Sequence, residues 1–264
     1  MDWSLWEPWY LWIAGALNLS IAMDCAAAHK LNHMIRSVST SINRMAEIFK
    51  DKIAIVIGAG PSIDEAISII DDIHGVVLAA DGACGKLLEM GLTPHVIITD
   101  LDGRIDDIYE CWRRGSYVVV HAHGDNIKFL GDYIPKFNER IIGTTQARPI
   151  GCLHNFGGFT DGDRAVFMAL ELKCKAVLMI GMDLSRVVGR YSKPWLKADS
   201  PIWPFKQAKF IIARKLLSWA SKLYRKPMAR VVVNGYDFGD KINGVDEVNV
   251  KNIEDWLRRT QLSF

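Results

Sequence analysis

The segment from residue 76 to residue 103 restricts the possible folds of this chain more than any other. It contains two short apolar runs, Val76–Ala80 and Val96–Thr99, whose composition is typical of buried parallel strands. The residues between them, Ala83–Met90, have the composition of a helix, and Gly91 is the residue type that commonly follows a helix end. The segment therefore predicts a strand–helix–strand unit of an α/β fold.

Apolar runs of the same kind recur along the chain and alternate with helical patterns. The further runs are Lys52–Ile57, Tyr117–His121, Arg140–Thr144, Lys175–Ile180 and Arg230–Asn234. Together they make about seven strands, and this alternation predicts an α/β protein with a doubly wound, mostly parallel, Rossmann-like sheet. We expect residues 1–50 to form a helical N-terminal region and residues 51–264 to form the α/β domain.

Near the N-terminus, the run Pro8–Met23 is apolar and rich in tryptophan. A membrane-spanning helix needs about 20 apolar residues, whereas this run is shorter and is interrupted by Asn18 and Ser20. It also lacks the basic flank of a signal peptide. We therefore predict one buried helix in a soluble, cytoplasmic protein that has no membrane partner.

Composition narrows the class of protein further. With 264 residues, of which 50% are hydrophobic, the chain can bury a full core. A formal net charge of +2 is too balanced to favour a nucleic-acid partner. The 5 cysteines are scattered without a C-x-x-C pair, which is typical of reduced thiols in a cytosolic protein.

Acidic residues follow two neighbouring strands of the predicted sheet. Asp81 comes after the first, and Asp100 and Asp102 come after the second. Ligands of open α/β sheets bind beyond the carboxyl ends of the strands, and carboxylate oxygens suit Mg²⁺. One D-x-D pair alone would be read as solvated turn aspartates. The third acid at the adjacent strand end favours a site for Mg²⁺ and a nucleotide.

A glycine-rich turn follows the strand that ends at Ile57. Gly58 and Gly60 lead into Ser62, and such a turn before a helix offers backbone N–H groups to a phosphate. Ile63 stands where the dinucleotide fingerprint requires a third glycine, and the P-loop lysine is missing. The alternatives are a tight turn that needs glycine and a helix cap by Ser62, whose spacing to Glu65 fits a capping box.

The strand that ends at His121 continues into His123, Asp125 and Asn126. The pattern H-x-H-x-D occurs in hydrolases with two metals, but Asn126 stands where the metallo-β-lactamase pattern has histidine. H-x-H is also frequent by chance. We therefore favour contacts of Asp125 and Asn126 with a substrate or nucleotide over a transition-metal site.

A second glycine turn precedes the helical run that starts at Ala165. Gly157 and Gly158 permit close backbone approach to a ligand, and the polar residues Thr160 and Asp161 follow them. Either polar residue could instead cap the helix. We favour a pocket edge here. Further along, the basic segment 186–200 is either a flap over phosphates or a solvated loop.

Several of these motifs together resemble those of known enzymes. The runs A-D-G, G-L-T-P and T-D-L-D-G, with the later T-D-x-x-x-A, resemble thiamin pyrophosphokinase. The resemblance to the archaeal 6-hydroxymethyl-7,8-dihydropterin pyrophosphokinase family is closer and covers most of the chain. It rests on W-x-P-x-Y, G-x-G-P-S-I-D, A-D-G-A, T-D-L-D-G, H-x-H-G-D-N and G-G-F-T-D-G-D-R-A.

The resemblance implies a thiamin-pyrophosphokinase-like fold and the transfer of pyrophosphate from ATP to a hydroxymethyl-pterin, with release of AMP. Asp100 and Asp102 would hold Mg²⁺, with Asp81 joining them directly or through water. Asp125 or Asp161 would orient the hydroxyl or hold a second metal, and Arg164 would neutralise developing charge. The small-molecule partners would be ATP and the pterin, with a homodimer as one form of assembly. Residues expected to contact the nucleotide or the pterin are Gly58, Gly60, Ser62, Asp81, Gly82, Asn126, Asn155, Phe156, Gly157, Gly158, Phe159 and Thr160.

Three other functions share some of these features. A nucleotide-sugar glycosyltransferase would use the same D-x-D carboxylates and the same kind of sheet. A nucleotide sensor would bind ATP and Mg²⁺ without turnover. A Rossmann oxidoreductase would place Asp81 against ribose, but the incomplete glycine fingerprint makes it the weakest of the three.

Overall fold

The computed structural model describes residues 1–68 and 73–262. Within these residues lies an eight-stranded sheet in which all neighbouring strands are parallel, together with a separate two-stranded antiparallel hairpin. The strands are β1 (Ile53–Ile57), β2 (Gly75–Ala80), β3 (Val96–Thr99), β4 (Tyr117–Ala122), β5 (Ile141–Thr145), β6 (Ala176–Ile180), β7 (Val187–Val188), β8 (Ser200–Pro201), β9 (Met228–Val232) and β10 (Asp246–Asn249). The sheet has the order β10-β9-β6-β1-β2-β3-β4-β5, and β7 pairs with β8.

All the strands predicted from the sequence are present, and the prediction of a doubly wound parallel sheet is confirmed. The sequence analysis missed β10, an edge strand beside β9 in which only Val248 is buried. An edge strand contacts the core through few side chains, so its sequence lacks a clear apolar run. The short hairpin of β7 and β8 was missed for the same reason.

Helices cover both faces of the sheet. They are α1 (Trp3–Leu17), α2 (Ile21–Ile35), α3 (Ile42–Phe49), α4 (Ile63–Ala66), α5 (Ala83–Glu89), α6 (Ile105–Arg113), α7 (Ile127–Tyr133), α8 (Asp161–Glu171), α9 (Pro204–Tyr224) and α10 (Ile253–Leu262). Side chains alternate along β1. Ile53, Ile55 and Ile57 join the core beneath α2, α4, α5, α6, α7 and α10, whereas Ala54 and Val56 join the core beneath α1, α3, α8 and α9.

The order of the strands places a switch point between β1 and β6. The chain proceeds from β1 to β5 towards one edge and then returns to β6, which pairs with the other side of β1. Ile57 and Ile180 are register partners, so the turns that follow them leave the sheet side by side. Ligands of open α/β sheets bind in the crevice beyond such a switch point.

The run predicted as one helix, Pro8–Met23, is divided between α1 and α2, so that prediction is wrong. Asn18 has a left-handed φ of 52°, which asparagine tolerates better than most residues. Ser20 then caps α2, because its hydroxyl accepts a hydrogen bond from the N–H of Met23 at 3.3 Å. Helix α2 packs on β4 and β5. A boundary between domains at residue 50 stays a prediction.

Helix α1 is docked on the α/β domain through Trp6, which is buried and donates its indole N–H to the carbonyl of Gln146 at 2.9 Å. No single helix in residues 1–68 and 73–262 combines the length and apolar character of a membrane span. Taken together, α1 and α2 meet those criteria of length and composition, but the pair is bent by 119°.

Candidate cation and phosphate site

Two glycine-containing turns form the floor of the cleft at the switch point. The N–H of Gly58 donates to the carbonyl of Ile180 at 2.8 Å, and that of Gly60 donates to Gly181 at 2.8 Å. A Cβ on Gly58 or Gly60 would lie 2.6 or 2.5 Å from the carbonyl oxygen of Gly181, so the close approach requires glycine. Both N–H groups therefore already have acceptors within the protein. The prediction that Gly58 and Gly60 contact phosphate is supported only by their position in the wall of the cleft.

Ser62 is buried and joins the same two turns. Its hydroxyl donates to Asp183 Oδ1 at 2.5 Å, and its N–H donates to Asp183 Oδ2 at 2.8 Å. The capping box that the sequence suggested between Ser62 and Glu65 is therefore wrong, since no side-chain cap forms there. Burial raises the pKa of Asp183 to about 6 although the hydrogen bonds from Ser62 oppose the shift. Asp183 was not identified as a site residue from the sequence.

Three carboxylates meet at the carboxyl ends of β2 and β3. One oxygen from each of Asp81, Asp100 and Asp102 lies within 4.8 Å of the others, which we call the carboxylate trio. Asp81 is buried and accepts a hydrogen bond from Thr99 Oγ1 at 2.6 Å. Asp81 and Leu101 have φ values of 40° and 66°, a strain that often marks functional sites. The trio's hard oxygen atoms are suited to a divalent cation.

The electrostatics of the trio indicate a shortage of positive charge. Burial raises the pKa of Asp81 well above its usual value, and the neighbouring carboxylates add to the shift. Burial and the charge of Asp100 likewise raise the pKa of Asp102. Burial opposes ionisation of Asp100, but the hydrogen bond and charge of His123, together with the charge of Lys193, outweigh it and hold the pKa of Asp100 well below its usual value. A bound cation would lower the pKa values of all three acids.

Side chains after β4 support Asp100. His123 Nε2 lies 3.3 Å from Asp100 Oδ2, and Asn126 Nδ2 donates to the carbonyls of Asp100 and His121 at 2.8 and 2.7 Å. Asn126 therefore ties two strand ends together. The side chain of Asp125 is 85% exposed and is not brought to the trio. Within the described residues the trio is the one cluster with metal-ligand geometry, so the two histidines form no such cluster there.

At the start of α8, different residues cap the helix and line the cleft. The helix begins at Asp161, earlier than the predicted Ala165. Thr160 and Asp163 form a capping box, in which Asp163 accepts the N–H groups of Phe159 and Thr160, both at 2.7 Å. Capping by Thr160 and Asp163 leaves the carboxylate of Asp161 free to line the cleft.

Asp161 lies close enough to the trio to feel its charge. Burial and the charge of Asp100 raise the pKa of Asp161 to about 7. Arg164 opposes this shift, with its Nη1 at 3.3 Å from Asp161 Oδ1. Gly158 has a φ of 83°, and a Cβ there would lie 2.6 Å from the Cα of Arg164. The glycine thus lets the turn pack beneath the helix that carries Asp161 and Arg164.

The predicted heterocycle contacts at Asn155 and Phe156 face a small internal cavity. Asn155 Oδ1 accepts the N–H of Gly157 at 2.8 Å, and its Nδ2 donates to the carbonyl of Gln146 at 3.3 Å. The cavity that these residues line with His121 has a volume of about 10 Å³, which is room for about one water molecule. In this conformation Asn155 shapes the turn, and the cavity cannot hold a pterin.

The basic segment 186–200 lies over the cleft, as the flap hypothesis expects. Tyr191 is buried, and its carbonyl oxygen would lie 1.8 Å from a Cβ on Gly82, so the segment rests directly on that glycine. Lys193 forms an ion pair with Asp102. The segment therefore supplies a cation to the trio as well as a cover, while its movement stays a prediction.

Two lysines at the start of α9 also belong to the site, and the sequence analysis missed them. Lys206 lines a cleft of about 90 Å³ together with Asp81 and Asp161. Burial lowers the pKa of Lys206 to about 8, with the charges of Lys193 and Lys209 adding to the shift. Burial also lowers the pKa of Lys209. Their spacing of three residues was visible, but a basic helix face is usually solvated.

The fold and the site define a class of protein: doubly wound α/β proteins whose acidic ligand cleft lies at the switch point of the sheet. Comparison with known proteins narrows this class. The model of the family described as "6-hydroxymethylpterin diphosphokinase MptE-like" matches residues 26–188. The chain belongs to this family.

Three curated archaeal relatives agree with the family match, and all three carry one name. The 6-hydroxymethyl-7,8-dihydropterin pyrophosphokinase of Pyrococcus furiosus is 43% identical over 83% of this chain and 94% of the relative. The enzymes of that name from Methanothermobacter thermautotrophicus and Methanocaldococcus jannaschii are 41% and 36% identical, over 84% and 76% of this chain and 96% and 88% of their own lengths.

A solved structure, the MAf glycosyltransferase from Magnetospirillum magneticum AMB-1, also aligns with the fold. The alignment has a TM-score of 0.49 and 15% identity and covers 90% of this chain. The chain spans only 42% of that larger protein. An alignment of this quality does not bear on activity.

Proposed function

We propose that this protein is a Mg²⁺-dependent diphosphotransferase. It transfers the β,γ-pyrophosphoryl unit of ATP to the hydroxymethyl group of 6-hydroxymethyl-7,8-dihydropterin. The observation that carries the proposal is the carboxylate trio, whose Asp81 lines the switch-point cleft, in a chain that is 43% identical to a pterin pyrophosphokinase. The acceptor is inferred from the names of the relatives, and the type of reaction is inferred from the residues of the cleft.

In this reaction the hydroxyl oxygen of the substrate attacks the β-phosphorus of ATP. The bond between the β-phosphorus and the bridging oxygen to the α-phosphorus breaks, and AMP leaves with that oxygen. The substrate hydroxyl loses its proton, so the products are AMP, the pterin diphosphate and H⁺. Such transfers depend mainly on positioning and on neutralisation of phosphate charge.

The residues of the site fit Mg²⁺, because the trio offers three carboxylates, and the raised pKa values of Asp81 and Asp102 call for a cation. Asp81, Asp100 and Asp102 would hold the ion, which offsets phosphate charge when it is bound. His123 and Asn126 keep Asp100 in place.

We assign the orientation of the substrate hydroxyl to Asp161 rather than to Asp125. Asp161 lines the cleft, and its pKa of about 7 lets it accept a proton near neutral pH. The exposed carboxylate of Asp125 is turned to solvent. Arg164, paired with Asp161, is placed to offset charge that develops on the phosphoryl oxygens.

A direct test is to incubate the purified protein with ATP and Mg²⁺ and one acceptor at a time, and to measure AMP. We expect AMP and a diphosphate ester with the hydroxymethyl-dihydropterin, and no stoichiometric AMP with thiamin. AMP with thiamin alone would establish a thiamin-type enzyme instead. Sugar transfer from a nucleotide sugar, without AMP from ATP, would establish a glycosyltransferase.

Two further parts of this proposal rest on the sequence alone. They are assembly as a homodimer and a cytoplasmic location. Size measurement of the purified protein in solution tests the first, and fractionation of cells tests the second.

A further inference from the structure

Helix α9 carries two lysines, Lys206 in the wall of the cleft and Lys209 about one turn further along, that form no ion pair with a carboxylate among the described residues. Lys206 and Lys209 are three residues apart, so they lie on one face of the helix. Their ammonium groups approach aromatic rings: Lys206 lies 5.3 Å from the ring of Phe210, and Lys209 lies 5.0 and 5.7 Å from the rings of Phe205 and Phe159. Phe205 and Phe210 belong to α9 itself, whereas Phe159 precedes α8, so rings from two parts of the chain contact the two cations.

The contrast with Lys193 shows why these two lysines need a ligand. Lys193 forms an ion pair with Asp102, whereas among the described residues neither Lys206 nor Lys209 has a carboxylate oxygen within 4.0 Å. Both are nonetheless half-buried beside Lys193, and burial lowers their pKa values. Cations held together in this way repel one another, and an anion placed between them would relieve the repulsion.

The position of the two lysines identifies the kind of anion. Lys206 and Lys193 share the wall of the cleft with Asp81 and Asp161, so a ligand in the cleft meets both carboxylates and ammonium groups. The triphosphate of a nucleotide carries about four negative charges, of which one Mg²⁺ offsets only a part. The carboxylates can bind phosphate groups through a cation, and the lysines can bind them directly. This combination suits a polyphosphate ligand.

We propose that Lys206 and Lys209 bind the two phosphoryl groups that are transferred, while the carboxylate trio binds the same groups through the cation. The proposal rests on the diphosphotransferase function proposed above. It makes the lysines specific for the β,γ-pyrophosphoryl unit, so they contribute nothing to the binding of AMP. The same contacts hold the diphosphate group of the product.

The variants Lys206→Gln and Lys209→Gln test this assignment, with Lys222→Gln as the matched control. Lys222 lies on the same helix but lines a separate groove on the outer surface. We expect each cleft variant to raise the KM for ATP and the Ki of inorganic pyrophosphate with Mg²⁺ by about tenfold, and the double variant by more. The affinity for AMP and the KM for the pterin stay unchanged, as do all constants of Lys222→Gln.

Two controls show whether the cleft variants lose affinity because a ligand contact is lost or because packing is disturbed. Lys206→Arg keeps the charge and retains most of the affinity for pyrophosphate. The ligand-free cleft variants melt at the same temperature as the wild type or higher, because one repelling cation has been removed. A fall in that temperature together with equal losses for AMP and pyrophosphate would overturn the assignment, as would an unchanged Ki for pyrophosphate.

Failure of the wider proposal gives a different result. If the wild type makes no AMP with the pterin, the diphosphotransferase function is wrong. Titration calorimetry with ATP–Mg²⁺ and pyrophosphate–Mg²⁺ then still tests the lysines directly. Loss of pyrophosphate heat in Lys206→Gln and Lys209→Gln but not in Lys222→Gln supports the polyphosphate site without the transfer reaction, and equal heats in all four proteins refute it.

Discussion

The ammonium of Lys193 pairs with the carboxylate of Asp102, although the two residues are 91 positions apart in the chain. The pair joins the segment that covers the cleft to the carboxylate trio. In the protein without metal, Lys193 therefore partly offsets the negative charge that we assign to the Mg²⁺ site. Binding of the cation and binding of the lysine at Asp102 compete.

This competition gives opposite predictions for two ligands. Replacing Lys193 by Met removes the competitor, so we expect Mg²⁺ alone to bind about threefold to tenfold more tightly. The same change removes a cation from the cleft and weakens binding of ATP. Calorimetric titrations measure both effects, and Lys197→Met, an exposed change in the same segment, serves as the control. Weaker binding of Mg²⁺ to Lys193→Met would contradict the competition.

The carboxylates of the trio have different effects on stability. Asp100→Asn and Asp102→Asn should each lower the rate of AMP release by about a thousandfold or more, because a ligand of the cation is lost. Without metal, Asp102→Asn should keep or raise the melting temperature, since the pKa of Asp102 is raised by burial and by Asp100. Asp100→Asn should lower it, since interactions with His123 hold the pKa of Asp100 low.

Metal-free melts paired with AMP-release rates check both halves of that prediction. Asp106→Asn, a change at an exposed aspartate of α6, should leave the rate near that of the wild type. A clear drop in the melting temperature of Asp102→Asn with a nearly normal rate would mean that the pair merely caps a turn, in which case the loss would be about 1 kcal/mol.

Binding of Mg²⁺ should strengthen as pH rises from about 6 to 8. Burial and neighbouring charges raise the pKa values of Asp81 and Asp102, and that of Asp161 to about 7, so protons compete with the cation below that range. Without metal the sign reverses: a folded-state pKa above the unfolded value makes these acids stabilise the fold as pH falls from about 8 towards 4. Melting curves with and without Mg²⁺ across this range measure both trends, and a pH-independent Mg²⁺ effect would contradict the first.

The cover of the cleft should be sensitive to a single methyl group. A Cβ on Gly82 would lie 1.8 Å from the carbonyl oxygen of Tyr191, so Gly82→Ala pushes the covering segment away. We expect a higher KM for ATP, by about tenfold, and faster tryptic cleavage after Arg190. Gly15→Ala, where nothing lies within 4 Å of the added atom, is the control. Unchanged proteolysis in Gly82→Ala would show that the segment is not displaced.

The location of the trio could be predicted from the sequence because it depends on local pattern. The runs that became β2 and β3 are apolar and adjacent in the chain, and adjacent parallel strands end at the same edge of the sheet. Asp81, Asp100 and Asp102 follow those runs directly. The same reasoning failed for Ser62, because its spacing to Glu65 suggested a cap while a distant carboxylate was the stronger acceptor.

The sequence by itself determined the parallel sheet, the order of most strands and helices along the chain, and the acids at the ends of β2 and β3, since each follows from periodicity and from residues close in the chain. Only the tertiary structure decided which distant polar and cationic side chains lie beside the acids of the cleft. Asp183 meets Ser62 across 121 residues, and Lys193 meets Asp102 across 91. Lys206 reaches the cleft only because α9 packs beside α8. Such contacts depend on how elements that are distant in the chain pack together. The burial that shifts the pKa values of these side chains arises only when the folded chain encloses the cleft.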